Sequence, residues 1–299
     1  LIRRFIRLLL LAALVAAGFA FWMTRAVPLD EDALAGVEGD VENGQRVFTA
    51  AGCASCHAAP DTKGDDKLVL AGGQKFPSNF GTFIAPNISP DPTEGIGDWT
   101  AAEFASAVMQ GVSPEGQHYY PAFPYGAYTK MKKQDLADLW AYMQTLPASD
   151  TASQPHDVGF PFNIRRALGG WKLLFMDDNW VLKNAPSEQV TRGRYLVEAL
   201  AHCGECHTPR NMLGGMDTSR WLAGAPNPSG KGRIPGIAPG AFKWTEGEIT
   251  YYLETGFTPD FDSVGGHMVA VVENMAELTE GDRQAIAAYL KSVPEQPSE

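Results

Sequence analysis

Cysteine is scarce in this sequence, with four in 299 residues, so each of them has to be accounted for. Cations are also short: 24 Lys and Arg stand against 35 Asp and Glu, a formal net charge of −11. A chain so poor in positive charge cannot neutralise a run of phosphates, which excludes nucleic acid as a partner. An acidic surface fits docking to a basic protein, and plain solubility equally well. The usual catalytic signatures are missing too: there is no zinc motif, no nucleophile elbow and no phosphate-binding glycine loop. Strand-type alternation is weak throughout, which points away from a β fold. Disorder is excluded in turn, because 44% of the residues are hydrophobic.

After residue 25 no further apolar run is long enough to span a bilayer. Before it there is one: Arg3, Arg4 and Arg7 precede an unbroken stretch from Leu8 to Met23, closed by Trp22 and Arg25. With Phe5 and Ile6 included, the stretch approaches the roughly 20 residues that a membrane span requires. A secretory signal peptide is the competing reading, with Gly18-Phe19-Ala20 as a passable cleavage site. We expect an uncleaved anchor over residues 1–25, with Arg7 snorkelling and Trp22 at the far interface. The arginines then stay cytoplasmic and the remainder is exported, which places the protein at a bacterial inner membrane facing the periplasm.

The four cysteines fall as Cys53-Ala-Ser-Cys56-His57 and Cys203-Gly-Glu-Cys206-His207. This is C-x-x-C-H twice, the pattern of c-type haem attachment. The two thiols add across the vinyl groups of one haem, and the next residue places an imidazole under the same ring as proximal iron ligand. A zinc site wants its two knuckles about 15–20 residues apart, whereas these lie 150 apart. Structural disulfides need no histidine after each pair. The expectation is therefore two covalently bound haems, held by Cys53, Cys56 and His57, and by Cys203, Cys206 and His207.

The segments that follow the two motifs echo each other. Leu70-Ala-Gly-Gly73 matches Leu222-Ala-Gly-Ala225, Trp99-Thr-Ala-Ala-Glu103 matches Trp244-Thr-Glu-Gly-Glu248, and Asp135 to Pro147 matches Asp282 to Pro294. The offsets of 152, 145 and 147, against 150 for the cysteines, describe an internal duplication with small loop insertions. Thr100 with Glu103, and Thr245 with Glu248, form the S/T-x-x-E box that starts a helix. Leu136, Leu139, Trp140 and Met143 recur at helical spacing, as do Ile286, Tyr289 and Leu290. Further helices are expected at about 41–52 and 188–202, one before each haem motif. The fold class is all-α: an anchor (1–25), a first domain (26–147), a linker (148–186) and a second domain (187–299). The linker begins polar, and from Ile164 to Leu182 it is apolar enough to pack on a domain and hold the two haems in a fixed relation.

The order of helices resembles two tandem class I cytochrome c domains. Ala85-Pro-Asn-Ile-Ser-Pro-Asp91, Tyr119-Tyr-Pro-Ala-Phe-Pro-Tyr125, Cys206-His-Thr-Pro-Arg-Asn211 and Gly266-His-Met268 are similar to segments of the cytochrome c subunits of bacterial membrane-bound alcohol and gluconate dehydrogenases. That resemblance covers roughly residues 40–295, and it departs from the group in one respect: those subunits commonly carry three haem motifs.

An electron-carrying haem commonly takes Met as its sixth ligand. Met268 lies between the last two helices of the second half, where the resemblance places the ligand, with Met275 as runner-up. In related subunits a Met often stands where this chain has Phe123. Met131 is then the expected ligand of the first haem, with His118 or an open iron as alternatives. The functional expectation is a periplasmic relay of single electrons between a cytochrome bc complex or a dehydrogenase and an oxidase, reaction centre or other acceptor. Two other readings compete: a subunit of a sugar, alcohol or aldehyde dehydrogenase, and a di-haem peroxidase with one open iron.

Overall fold

The computed structural model describes residues 2–228, 230 and 232–297. Residues 1, 229, 231, 298 and 299, which include the outermost ends of the anchor and second-domain ranges, lie outside the described residues.

The first element, α1 (Ile2–Met23), has a mean hydropathy of 2.2 in its most apolar window and buries none of it in the protein. It is long and apolar enough to cross a membrane. The chain then enters α2 (Val41–Ala51), which starts where the Asp40 carboxylate accepts from the amides of Glu42 and Asn43 and stops at Gly52, whose φ of 65° ends the helix. The first C-x-x-C-H forms the short α3 (Cys53–His57). After a loop bearing the hairpin β1 (Lys75–Ser78) and β2 (Gly81–Ile84), α4 (Ala101–Ala105) begins on the Thr100–Glu103 capping box. It widens into a π-helical turn over Ser106–Gln110. A short α5 (Tyr125–Tyr128) and then α6 (Lys133–Met143) complete the first half.

Beyond α7 (Ala167–Phe175), the order repeats. Helix α8 (Glu188–Tyr195), extended by a π-helical turn to Leu200, leads to the second motif in α9 (Gly204–His207). A two-residue ladder joins β3 (Ala225–Pro226) to β4 (Arg233–Ile234). Then come α10 (Glu246–Thr255), α11 (Met268–Ala276) and α12 (Glu280–Ser292). The second capping box, Thr245 with Glu248, is formed as the first is.

The crossing of first and last helix in each half shows the duplication in three dimensions. A Cβ on Gly44 would meet the Asp138 carbonyl at 2.0 Å, and one on Gly193 would meet the Ala285 carbonyl at 1.9 Å. Only glycine lets α2 lie on α6, and α8 on α12, at this distance. Beside these contacts Leu136, Tyr289 and Leu196 are fully buried, each contributing roughly 1.5–3 kcal/mol relative to exposure. One continuous core runs through both halves.

The strands add small features to a predominantly helical fold. Gly81 in the β2 strand has a φ of 127°, and a Cβ there would meet the Asp157 carbonyl at 2.3 Å, so the linker runs directly over the hairpin. The linker is fastened at both ends. The Asn87 side-chain amide donates to the carbonyls of Ser149 (2.8 Å) and Thr151 (2.9 Å), on the first half. In the second half the Glu198 carboxylate accepts from the amides of Val181 (2.6 Å) and Leu182 (3.1 Å). Its middle packs only in part: Trp180, Val181 and Leu182 lie against the core, while Ile164, Leu173 and Leu174 are exposed.

Candidate haem sites

Each C-x-x-C-H histidine sits at the end of a one-turn helix, and a loop closes over it in the same manner twice. The His57 carbonyl accepts from the Gly72 amide at 2.7 Å, and the His207 carbonyl accepts from the Gly224 amide at 2.7 Å. Downstream, the Ile88 amide bonds the Leu70 carbonyl (3.0 Å), and the Ile237 amide bonds the Leu222 carbonyl (2.8 Å). These bonds bring a proline carbonyl against each imidazole: His57 Nδ1 lies 2.9 Å from the Pro86 oxygen, and His207 Nδ1 lies 2.8 Å from the Pro235 oxygen. A carbonyl only accepts, so in both rings Nδ1 carries the proton and Nε2 carries the lone pair. Burial pushes both histidines below their ordinary range, with the proline bond partly opposing it, so both rings are neutral at pH 7. A neutral imidazole fixed by a carbonyl at Nδ1 is the form in which a histidine ligates iron.

None of the four cysteines is in a disulfide. Burial, with the neighbouring Cys56 adding, pushes Cys53 up to about 12, and burial with Cys206 does the same for Cys203. Cys56, exposed along one side and crowded by protein on the other, rises to about 11 through burial and through the nearby Cys206. The free thiols are thus protonated at neutral pH. Among the described residues, no three His, Cys, Asp or Glu side chains converge as a metal cluster would require. The donor set therefore fits haem, with two thiols for its vinyl groups and one neutral imidazole for its iron.

The second motif is backed by a polar chain that sequence reading did not find. Trp221 packs on Gly204, where a Cβ would meet its ring at 2.1 Å, and its Nε1 donates to the Tyr289 hydroxyl at 3.0 Å. That hydroxyl donates to the buried Glu198 carboxylate at 2.6 Å. The first half has Ala54 and Val69 at the matching positions of Gly204 and Trp221, and so builds no such chain.

The two attachment segments touch. The Ala51 carbonyl, two residues before Cys53, accepts from the Tyr128 hydroxyl at 3.1 Å and from His202 Nε2 at 3.3 Å. His202 immediately precedes Cys203, and its ring lies edge-on to Tyr128 with centroids 5.5 Å apart. His202 is half-buried and joins the halves.

The methionines are placed less symmetrically. Tyr119 and Val264 donate to the carbonyls of Gly111 and Gly256, both at 2.8 Å, so the loops that follow α4 and α10 correspond at an offset of 145. On that register Phe123 stands where the second half has Met268, which is half-buried at the start of α11. Phe123 packs among Tyr119, Tyr125 and Tyr128. Met131 is buried in the core, its amide bonding the Tyr128 carbonyl (2.9 Å) as Leu278 bonds Met275 (3.2 Å). Met275 is buried as well. His118 is engaged elsewhere: its Nε2 donates to the Thr24 carbonyl at 3.0 Å, just past α1.

A helical fold built twice around a cysteine-flanked, carbonyl-oriented histidine defines a protein with two c-type haems, a tandem cytochrome c. The comparisons agree. The cytochrome c family model matches residues 41–147. A diheme cytochrome c-type protein of Cereibacter sphaeroides is 55% identical over 281 residues, covering 94% of this chain and 95% of the relative. The chain belongs to the diheme cytochrome c family. It is also similar to the fructose dehydrogenase cytochrome subunit of Gluconobacter japonicus, 37% identical over 277 residues (90% of this chain, 56% of that one). The gluconate 2-dehydrogenase cytochrome c subunit of Pantoea cypripedii is 32% identical over 266 residues (85% and 59%). The chain thus spans a little over half the length of these two dehydrogenase subunits.

Proposed function

We propose that this di-haem electron carrier works as a membrane-tethered periplasmic relay. It receives single electrons from a dehydrogenase or a quinol-oxidising cytochrome bc complex and delivers them to an acceptor such as an oxidase or reaction centre. The observation that carries this reading is the pair of equivalent imidazole cradles, His57 on Pro86 and His207 on Pro235, joined through Ala51, Tyr128 and His202. Bound haem supplies one-electron chemistry, while the chain sets ring orientation, burial and the separation of the sites. The apolar α1 supports the tether, and its flanking Arg3, Arg4 and Arg7 support an exported body.

For the sixth ligands, Met268 serves the second haem and Met131 the first. Met268 opens α11 and keeps part of its surface free of the core. Phe123 has no donor atom, and Met131 is the methionine that lies in the same interval of the first half. A dehydrogenase-subunit role is a second reading of the same chemistry, favoured by the names of the relatives. Co-purification with a flavin- or quinone-bearing chain selects it.

The test is an optical spectrum of the reduced protein with haem counted per chain, before and after carbon monoxide. Two c-type haems and no spectral change support six-coordinate irons and both methionines. Carbon monoxide bound at one haem removes Met131 first, because Phe123 fills the place that Met268 takes in the other half, and brings the peroxidase reading forward.

A further inference from the structure

Between Asp157 and Asp177 the acidic chain carries no acidic residue and three basic ones, Arg165, Arg166 and Lys172. In a solvated segment, cations face water and apolar groups face the protein. Here the arrangement is reversed. Arg165 donates to the His118 carbonyl at 3.2 Å and lies over the Tyr120 ring at 5.0 Å. Lys172 donates to the Gly111 carbonyl at 2.8 Å and lies over the Tyr125 ring at 4.6 Å. The cations are thus turned inward as fastenings. Facing outward are Phe160 (82% exposed), Leu174 (69%), Leu173, Ile164 and Phe162.

This face continues from the end of α1. The Arg166 guanidinium donates to the Phe21 carbonyl and lies 4.0 Å over the Phe21 ring. Gly169 sits so close to Thr24 that a Cβ there would meet its carbonyl at 2.1 Å. On the other flank, Trp171 Nε1 donates to the Leu213 carbonyl at 3.0 Å. That contact adds Met212 (96% exposed) and Leu213 to the same side. Three chain segments therefore present apolar side chains around the point where the apolar helix leaves the folded body. An apolar surface of several segments is not scattered exposure and calls for an occupant.

We propose that residues 160–174, with the Met212–Leu213 loop, lie in the lipid headgroup region of the bilayer and seat the haem-bearing body on the membrane. The proposal rests on the reading of α1 as a membrane anchor, and continuity with that anchor is what selects lipid over a protein partner. The apolar side chains enter the boundary between headgroups and acyl chains, as interfacial segments do. Trp22 and Trp171 sit at the depth that indoles favour. The body is then held at a set tilt, not free to swing on residues 24–40.

The test places an environment-sensitive fluorophore, one at a time, at Leu11→Cys, Leu174→Cys and Gln284→Cys in the full-length, haem-loaded protein reconstituted in vesicles. Gln284 is an exposed control on α12. Lipids spin-labelled near the headgroup or deep in the acyl chain serve as quenchers. The expected result is that Leu11 dims with the deep quencher, Leu174 dims with the shallow one, and Gln284 dims with neither. Leu11 quenched with Leu174 unaffected overturns the proposal and leaves the anchor standing. Leu174 quenched without Leu11 supports the seated face and overturns the anchor. Quenching at neither overturns both, and equal quenching at Gln284 and Leu174 overturns the seated orientation.

Discussion

The Asn274 side-chain amide donates to the Ser55 hydroxyl at 2.9 Å across 219 positions of sequence. It ties the helix that begins at Met268 to the interior of the first C-x-x-C-H. Asn274→Ala is expected to lower stability by about 1 kcal/mol, the usual net worth of one hydrogen bond. The nearby Lys67–Glu273 pair is more than a third exposed on both sides, so Lys67→Met is expected to change stability by less than about 0.5 kcal/mol. Guanidinium unfolding followed in the haem absorption band measures both. Equal effects would mean that the Ser55 bond exchanges with water like a surface contact.

The helix crossings make a sharper demand. Gly193→Ala forces a methyl group onto the Ala285 carbonyl, where 1.9 Å is available. Backbone on both sides cannot step aside as a side chain can, so a loss of about 3 kcal/mol or more is expected, at the upper end for overpacking. Gly44→Ala should do the same in the first half. By contrast Gly247→Ala, with only Thr245 Oγ1 at 4.0 Å, should cost nothing. A thermal-unfolding midpoint for Gly193→Ala within error of the parent would show that α8 and α12 can part without penalty.

These crossings also mark what the sequence could and could not disclose. The haem motifs, the capping boxes at Thr100 and Thr245 and the last helix of each half were legible, because each depends on local spacing alone. The glycines at 44 and 193 carry no local signal; their meaning lies in a helix some ninety residues away. The linker was read as apolar enough to pack, and composition was right about its character but silent on which way it faces. His202 gave no warning of its contact with Ala51, since that contact depends on how two halves meet. The site residues divide in the same way. His57 and His207 follow from the motif, while the carbonyls of Pro86 and Pro235 come from distant loops, and Phe123 is recognised as the counterpart of Met268 only once Tyr119 and Val264 set the register.

Glu198 anchors three donors, the amides of Val181 and Leu182 and the Tyr289 hydroxyl. Glu198→Ala leaves all three without an acceptor in a buried site, and a loss of about 3 kcal/mol or more is expected. Glu198→Gln retains an oxygen for part of the set and should fall between. Because Trp221 hangs on the Tyr289 hydroxyl, the alanine variant should also alter the near-ultraviolet circular dichroism of that tryptophan. An unchanged unfolding midpoint would remove this chain from the account of the second half.

Acid should act on the contact between Thr24, just past α1, and the first half. Burial holds His118 below its ordinary range, with Lys172 and Arg166 adding and the Thr24 carbonyl partly opposing. In the unfolded chain a histidine takes up its proton near pH 6.5. The folded protein keeps His118 neutral to lower pH, so the unfolded state binds more protons as pH falls below about 6.5, and stability declines there. Above that pH the group has no effect. Other buried histidines contribute to the same trend, so the informative quantity is a difference: His118→Gln should lose less stability between pH 7 and pH 5 than the parent does. Parallel pH profiles for the two proteins would show that His118 is not the group responsible.

The linker is stitched to the first half at Asn87 and to the second at Glu198. Such stitching turns an encounter into a property of the molecule. Passage of an electron from one haem to the other becomes a first-order step whose rate is indifferent to protein concentration and to the viscosity of the medium. Only the outer exchanges, with donor and acceptor, are left to collision.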